Sequence, residues 1–194
     1  MVKSNRENEI KLAFPSPETA VLRLLDAGAR EVHERAFEDN TLFDLAGRPL
    51  TTSGRLLRLR EFGGAAVLTF KAPVLGEHRH KVRIEHETGV ADPETMRGIL
   101  IALGFEVVYR YQKYRAVYAL RAVVASLDET PLGTFIELEG EPDDVDEAAT
   151  ALGARPLEFI RATYRELQEI DAAARGVVAG DALLLPPGRP DSAA

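Results

Sequence analysis

Two segments far apart in the chain, Glu7-x-Glu9-x-Lys11 and Glu137-x-Glu139, each set a pair of carboxylates at alternate positions. Side chains alternate across a β-strand, so each pair shares one face, and Ile10, Leu12, Ile136 and Leu138 point the other way. Like charges side by side on a strand repel, and a divalent cation between them removes the conflict. Carboxylate oxygens suit Mg²⁺ or Mn²⁺, which bridge protein to phosphate. Cations recur with the same alternation: Arg58 and Arg60 among Leu57 and Leu59, Thr69 and Lys71 among Leu68 and Phe70, and Lys113 with Arg115. Lys81, Arg83, Glu85 and Glu87 alternate with Val82 and Ile84, and Ser126 and Asp128 with Ala125 and Leu127. Any one such strand, taken alone, reads first as a solvated outer face. Across the set the signs segregate: residues 54–60, 65–71 and 111–115 carry cations, and 5–9 and 135–139 mostly carboxylates. Arg and Lys on one wall grip polyphosphate oxygens, Arg two at a time. Carboxylates on the other wall hold metal, and phosphoryl transfer uses both.

Elements that would position these groups are legible from punctuation. A strand over residues 5–13 precedes Ser16-Pro17-Glu18, which marks a helix start, with Gly28 as its stop. The same grammar recurs from Asp92-Pro93-Glu94 to Gly104 and from Pro142-Asp143-Asp144 to Gly153. In all three the interval from Pro to Gly is 11 residues, and a Glu-x-Glu strand precedes each helix. An internal strand-plus-helix repeat and ordinary helix punctuation both account for this. Further strands are expected at 30–38, 54–62, 65–72, 105–116, 117–127 and 132–140, with Gly63-Gly64 as a tight hairpin turn. A last amphipathic helix is expected over 156–174, with Phe159, Ile160, Tyr164, Leu167 and Ile170 as its apolar stripe. The class is therefore α+β on a large, mainly antiparallel sheet. If that sheet closes, its charged face becomes the lining of a barrel.

The chain has 194 residues with 45% hydrophobic content, enough for one substantial core and one domain over residues 1–175. Residues 176–194 turn to Gly, Ala and Pro and are expected to be a mobile tail, with Leu183 to Leu185 able to dock locally. Without Cys there is no disulfide, thiolate metal site or Cys nucleophile. A net charge of −7 disfavours a general nucleic-acid binder. No apolar run reaches membrane-spanning length and the first residues carry no signal-like apolar core, so a soluble, cytoplasmic protein is expected.

In order along the chain, these segments resemble the CYTH superfamily, the triphosphate tunnel metalloenzymes, which include class IV adenylate cyclases and thiamine triphosphatases. The likeness runs from Glu7 to about Gln168 and comprises E-x-E-x-K, LRLR, TFKAP, RIEHE, KYR, LDETPLGTFIELEG and ATYREL. ALGFE, LDETPLG and TYREL are most similar to the cyclase branch. The resemblance implies an eight-stranded antiparallel tunnel with helices outside. It implies that Glu7, Glu9, Glu137 and Glu139 hold Mg²⁺ or Mn²⁺, with Asp128 or Glu85 assisting. Lys11, Arg58, Arg60, Lys71, Arg83, Lys113 and Arg115 would grip a triphosphate, with Lys11, Arg58, Lys113 and Glu85 closest to the chemistry. For Arg83 and Glu87 a plain salt bridge is an equal alternative, and Arg165 and Arg175 are weak matches to a C-terminal basic residue of some relatives. Phe43-Asp44 falls where relatives carry a tyrosine-phenylalanine-aspartate run and reads as structural.

Two other features read as structural. His78-x-His80 with His86 nearby lacks a third ligand at useful spacing for a transition metal. Tyr109, Tyr111, Tyr114 and Tyr118 suit packing between strands better than stacking on a base. Hydrolysis of inorganic, nucleoside or thiamine triphosphate leads. Cyclisation of ATP to cyclic AMP and pyrophosphate, and a non-catalytic polyphosphate-binding module, are the alternatives. The partner is a triphosphate-containing small molecule, with no nucleic acid or membrane, and a homodimer is left open.

Overall fold

The computed structural model describes residues 6–74, 76 and 79–186. Its frame is a set of antiparallel strands: β1 (Arg6–Phe14), β2 (Arg30–Asp44), β3 (Leu56–Phe62), β4 (Ala65–Pro73), β5 (Lys81–Val90), β6 (Glu106–Leu120), β7 (Val123–Thr130) and β8 (Gly133–Glu139). Neighbours follow the order β2-β3-β4-β5-β1-β8-β7-β6, and pairing of β2 with β6 closes the eight strands into a barrel. The three Glu-x-Glu strands, β5, β1 and β8, stand side by side in that order. A two-residue strand β9 (Ala182–Leu183) adds in parallel to β6 at Arg110 and Tyr111, so Leu183 does dock.

Helices α1 (Pro17–Asp26), α2 (Pro49–Thr52), α3 (Pro93–Ala102), α4 (Pro142–Ala151) and α5 (Tyr164–Ala174) lie around the strands. Capping follows the sequence signals: Ser16 accepts from the Thr19 amide and Asp92 from the Thr95 amide. The main core lies between barrel and helices, outside the tunnel. There Ile10, Leu12, Ile136 and Leu138 of the barrel's outer face meet Leu24 of α1 and Val145 of α4. A second cluster packs Phe43 and Leu59 against Leu100 of α3. Turning the apolar face outward toward helices is what leaves the opposite face of each strand, with its charges, for the interior. Among the described residues no helix is long and apolar enough to cross a membrane.

Three boundaries depart from expectation. Residues 105–116 and 117–127 are not two strands meeting at 116: β6 runs unbroken to Leu120, and the turn falls at Arg121-Ala122, with Leu120 paired to Val123. Arg121 takes φ 54°, a left-handed conformation that an Arg gives no sequence reason to expect. β2 extends past residue 38 to Asp44 and so absorbs Phe43-Asp44. The helix expected over 156–174 is a single 3-10 turn at Pro156–Glu158, an extended link, and then α5. That link is bound to β1, because Lys11 and Ile160 exchange both backbone hydrogen bonds at 2.9 Å. α5 itself starts at a capping box in which Thr163 and Glu166 satisfy each other's backbone amides.

Leu138 is fully buried against the helices, so Leu138→Ala should lower stability to urea by about 2–5 kcal/mol. The exposed Leu22 of α1 sets the contrast: Leu22→Ala should change it by no more than about 0.5 kcal/mol.

Candidate functional site

The inward faces of β1, β3, β4, β5, β6 and β8 enclose one cavity of about 410 Å³. Lining it are Glu7, Glu9 and Lys11 of β1, Arg58 and Arg60 of β3, Lys71 of β4, and Arg83, Glu85 and Glu87 of β5. Lys113 and Arg115 of β6 and Glu137 and Glu139 of β8 complete the charged lining. Register explains the mixing of signs. Lys11 faces Glu137 across β1 and β8, Glu7 and Glu9 face Arg83 and Lys81 across β1 and β5, and Lys71 faces Glu85 across β4 and β5.

Within the cavity the charges sort into three groups. Carboxylate oxygens of Glu7, Glu85 and Glu139 all lie within 4.8 Å of one another. Lys71 Nζ lies 2.5 Å from both Glu7 oxygens and 3.2 Å from Glu85, so one ammonium offsets part of the charge at this corner. Burial pushes Glu85 up to about 7, with Glu7 and Glu87 adding to it against the pull of Lys71. Enclosure by the cavity walls, then Glu7 and Glu9, pushes Glu139 up to about 7 as well, although part of its side chain reaches solvent. Three hard oxygen donors at this separation fit a small divalent cation such as Mg²⁺ or Mn²⁺.

In the middle, Lys11 bridges Glu9 and Glu137 at 3.3 Å each, and Lys81 donates to Glu9 at 2.7 Å. Burial opposes the charge of Glu9, and Lys11 and Lys81 overcome it, holding this carboxyl far below its ordinary range. Lys11 is likewise buried and is kept charged by Glu137 and Glu9, which raise its pKa.

The third group is the cationic wall. Arg115 grips both oxygens of Asp128 at 2.6 Å and reaches Glu137 at 2.6 Å. Lys113 donates to Asp128 at 2.8 Å, and the Tyr164 hydroxyl of α5 donates to the same carboxylate at 2.7 Å. Asp128 is fully buried and lies behind the lining, so it fixes the cations and the covering helix to one point. Behind the same wall stands Glu38, also fully buried, 3.3 Å from Lys113 and 3.6 Å from Arg115. Burial works against its charge, and Lys113 and Arg115 prevail to bring it to about 2. Arg58 donates to the Tyr111 hydroxyl at 3.3 Å, and Glu87 lies 3.7 Å from Arg58 and 3.5 Å from Arg60. Glu87 thus enters the expected kind of salt bridge, whereas Arg83 forms no ion pair among the described residues.

The structure thus gathers every proposed site residue except Asp128 onto the cavity wall, and sets Asp128 one layer behind. Reasoning from the sequence missed Glu38, which shares its inward parity with Asn40 and Leu42. It also missed Lys81 as a partner of Glu9. Tyr109 and Tyr111 line the cavity, whereas Tyr118 packs in the core and Tyr114 lies edge-on to Phe37. Arg165 reaches the cavity, and Arg175 is engaged instead with Asp171. His80 bonds Asp146 at 2.7 Å, and His78 lies outside the described residues.

Comparison with known proteins gives a consistent picture. A sequence model of the CYTH domain matches residues 5–169. A protein of Methanocaldococcus jannaschii, named as a candidate adenylate cyclase, is 30% identical over 173 residues, covering 84% of this chain and 98% of that protein. A solved Pyrococcus horikoshii protein superposes with a TM-score of 0.70 at 26% identity, covering 85% of this chain and 99% of the other. A candidate adenylyl cyclase from Hippeastrum, described as having a dominant triphosphatase activity, shares the fold with a TM-score of 0.56 at 18% identity, covering 89% and 96%.

Two outcomes follow from the charges. Glu85 and Glu139 titrate near 7 when folded against an ordinary 4.5, so the folded chain holds protons there that the unfolded chain releases. Their contribution to stability therefore falls as pH rises from 4.5 toward 7, and a divalent cation has to displace those protons. The rise in melting temperature on adding Mn²⁺ should be larger at pH 8 than at pH 6; an equal or smaller rise at pH 8 contradicts the assignment. Asp128→Ala strands two buried cations and should cost about 3–5 kcal/mol in urea unfolding.

Proposed function

The chain belongs to the CYTH domain family, and on that premise we propose that it is a divalent-cation-dependent enzyme that hydrolyses a triphosphate held inside the barrel. The observation that carries this reading is one cavity in which the carboxylate corner of Glu7, Glu85 and Glu139 faces a wall of Arg58, Arg60, Lys113 and Arg115. In this reading Glu7, Glu85 and Glu139 hold Mg²⁺ or Mn²⁺, and Glu9 and Glu137 add their oxygens from the adjacent β1 and β8 row. A cation held by these residues would supply positive charge for the phosphate oxygens and a site to order the attacking water. Asp128, with Lys113, Arg115 and Tyr164 all on its oxygens, acts as a positioning residue rather than a ligand.

The cations bind and stabilise. Lys11 and Lys71, now neutralising carboxylates, are within the cavity to take phosphate oxygens. Arg83, which forms no ion pair among the described residues, lines the same cavity. Arg58, Arg60, Lys113 and Arg115 spread the charge that builds on the transferring phosphoryl group. Water attacks the terminal phosphorus, the bridging P–O bond breaks, and the diphosphate end leaves with its negative charge held by the same wall. Cyclisation is the second reading, favoured by the name of the Methanocaldococcus jannaschii relative. There the ribose 3′-hydroxyl attacks the α-phosphorus and pyrophosphate leaves.

Incubation with inorganic triphosphate, ATP and thiamine triphosphate, each with Mg²⁺ and with Mn²⁺, separates the two. Phosphate release without cyclic AMP is expected; cyclic AMP with pyrophosphate overturns hydrolysis in favour of cyclisation. Arg58→Ala should lower kcat by about 10²–10³-fold, the loss typical when one charge-stabilising donor is removed. Glu139→Gln, at a carboxylate without an ion pair among the described residues, should lose cation-dependent turnover while keeping its far-ultraviolet circular dichroism.

A further inference from the structure

We propose, resting on the triphosphate reading, that Glu38 and Asn40 form a buried positioning pair whose one negative charge weakens the hold of the cationic wall on phosphate, so that a diphosphate product leaves. Both residues are fully buried on β2, the strand that closes the barrel between β3 and β6. Register sets Glu38 opposite Lys113, and Asn40 opposite Arg60 on one side and Tyr111 on the other. The Asn40 side-chain amide donates to Glu38 Oε1 at 2.9 Å and fixes the carboxylate behind the lining.

Bracing the fold does not account for this carboxylate. Asp128 already accepts from Lys113 at 2.8 Å and twice from Arg115 at 2.6 Å. Glu38 lies farther from the same two cations, at 3.3 and 3.6 Å. Glu38 Oε2 and Asn40 Oδ1 are buried and accept no hydrogen bond among the described residues. A buried carboxylate bonded this sparingly lowers stability rather than raising it, so its contribution lies elsewhere.

The reach of its charge shows where. Burial opposes that charge, and Lys113, Arg115, Arg58 and Arg60 all favour it. Asp128 bonds only Lys113 and Arg115 of these four, so Glu38 is the counter-charge that the whole wall shares. Arg58 is loosely held: it donates to the Tyr111 and Thr69 hydroxyls at 3.3 and 3.4 Å, and its buried Nε has no partner among the described residues. Four cations that converge on phosphate grip the product as well as the transition state. Binding that is equal in both adds nothing to turnover. A fixed negative charge behind the wall lowers that uniform grip. Hydrolysis and cyclisation both need this, because each releases a diphosphate group.

The test measures calorimetric affinity for pyrophosphate with Mg²⁺ at pH 8, and kcat and KM for ATP and inorganic triphosphate. It uses the wild type, Glu38→Gln, Asn40→Asp and the double variant that carries both changes. Glu38→Gln keeps the shape and removes the charge, so pyrophosphate should bind about tenfold tighter or more, with KM and kcat both lowered. Asn40→Asp adds a second charge and should weaken pyrophosphate about tenfold, a shift that tests the pair even where Glu38→Gln fails to fold. The double variant keeps one negative charge and should return most of the way to the wild-type affinity. A lower urea midpoint in Glu38→Gln with pyrophosphate binding unchanged or weaker marks a mere brace and overturns the proposal. A double variant that binds as tightly as Glu38→Gln overturns the share given to Asn40. Pyrophosphate binding that no variant shifts overturns the pair and leaves the triphosphate reading intact. A wild-type chain that neither binds pyrophosphate nor turns over either triphosphate overturns both.

Discussion

Enclosed charge is the constraint on which the rest of this structure depends. A barrel interior lined by ionised groups is expensive, because each ion loses water on entering it. The chain offsets that cost by interleaving signs: Lys11 between Glu9 and Glu137, Lys71 between Glu7 and Glu85, and Arg115 between Asp128 and Glu137. Antiparallel register makes the interleaving repeatable, since each inward residue meets a defined inward residue on either side. Apolar burial then has to come from the other face of the strands, and α1 and α4 supply it over Ile10, Leu12, Ile136 and Leu138. Helices outside and charges inside are thus two results of one requirement.

One corner is left under-neutralised. Among the described residues Lys71 pairs with Glu7 and Glu85 and none pairs with Glu139, and burial pushes Glu85 and Glu139 up to about 7. A carboxylate corner next to a wall of cations held from behind by Asp128 and Glu38 is the arrangement that the proposed function uses. Tyr164 ties α5 to this balance through Asp128, so the helix over the cavity and the cationic wall share one hydrogen-bonded anchor.

How much of this was legible in the sequence depended on local regularity. β1, β3 and β8 alternate cleanly, and their inward residues were evident because parity alone decides the face. β2 was harder to read. Its pairing with β6 shifts register between Glu31 and His33 and again between His33 and Ala36, so its first half does not alternate regularly and gives no clean face to extend to Glu38 and Asn40. Asp128 showed the right parity but not its role, since its partners come from β6 and from α5, 36 residues further on. The start of α5 was misplaced because Pro156 imitates a first helical residue, whereas the Thr163 and Glu166 capping box marks the real one.

The short parallel strand β9 has a consequence for the behaviour of the chain in concentrated solution. β7 pairs with β6 from Tyr114 onward, which leaves the stretch before it without a β7 partner on that side. Ala182 and Leu183 cover part of that edge, held by the Arg110 amide on the Asp181 carbonyl and by the Gln168 side chain on the carbonyl of Ala182. An exposed strand edge is a template for another molecule's backbone. Residues 181–183 thus occupy part of a strand edge that would otherwise stand open to another molecule's backbone.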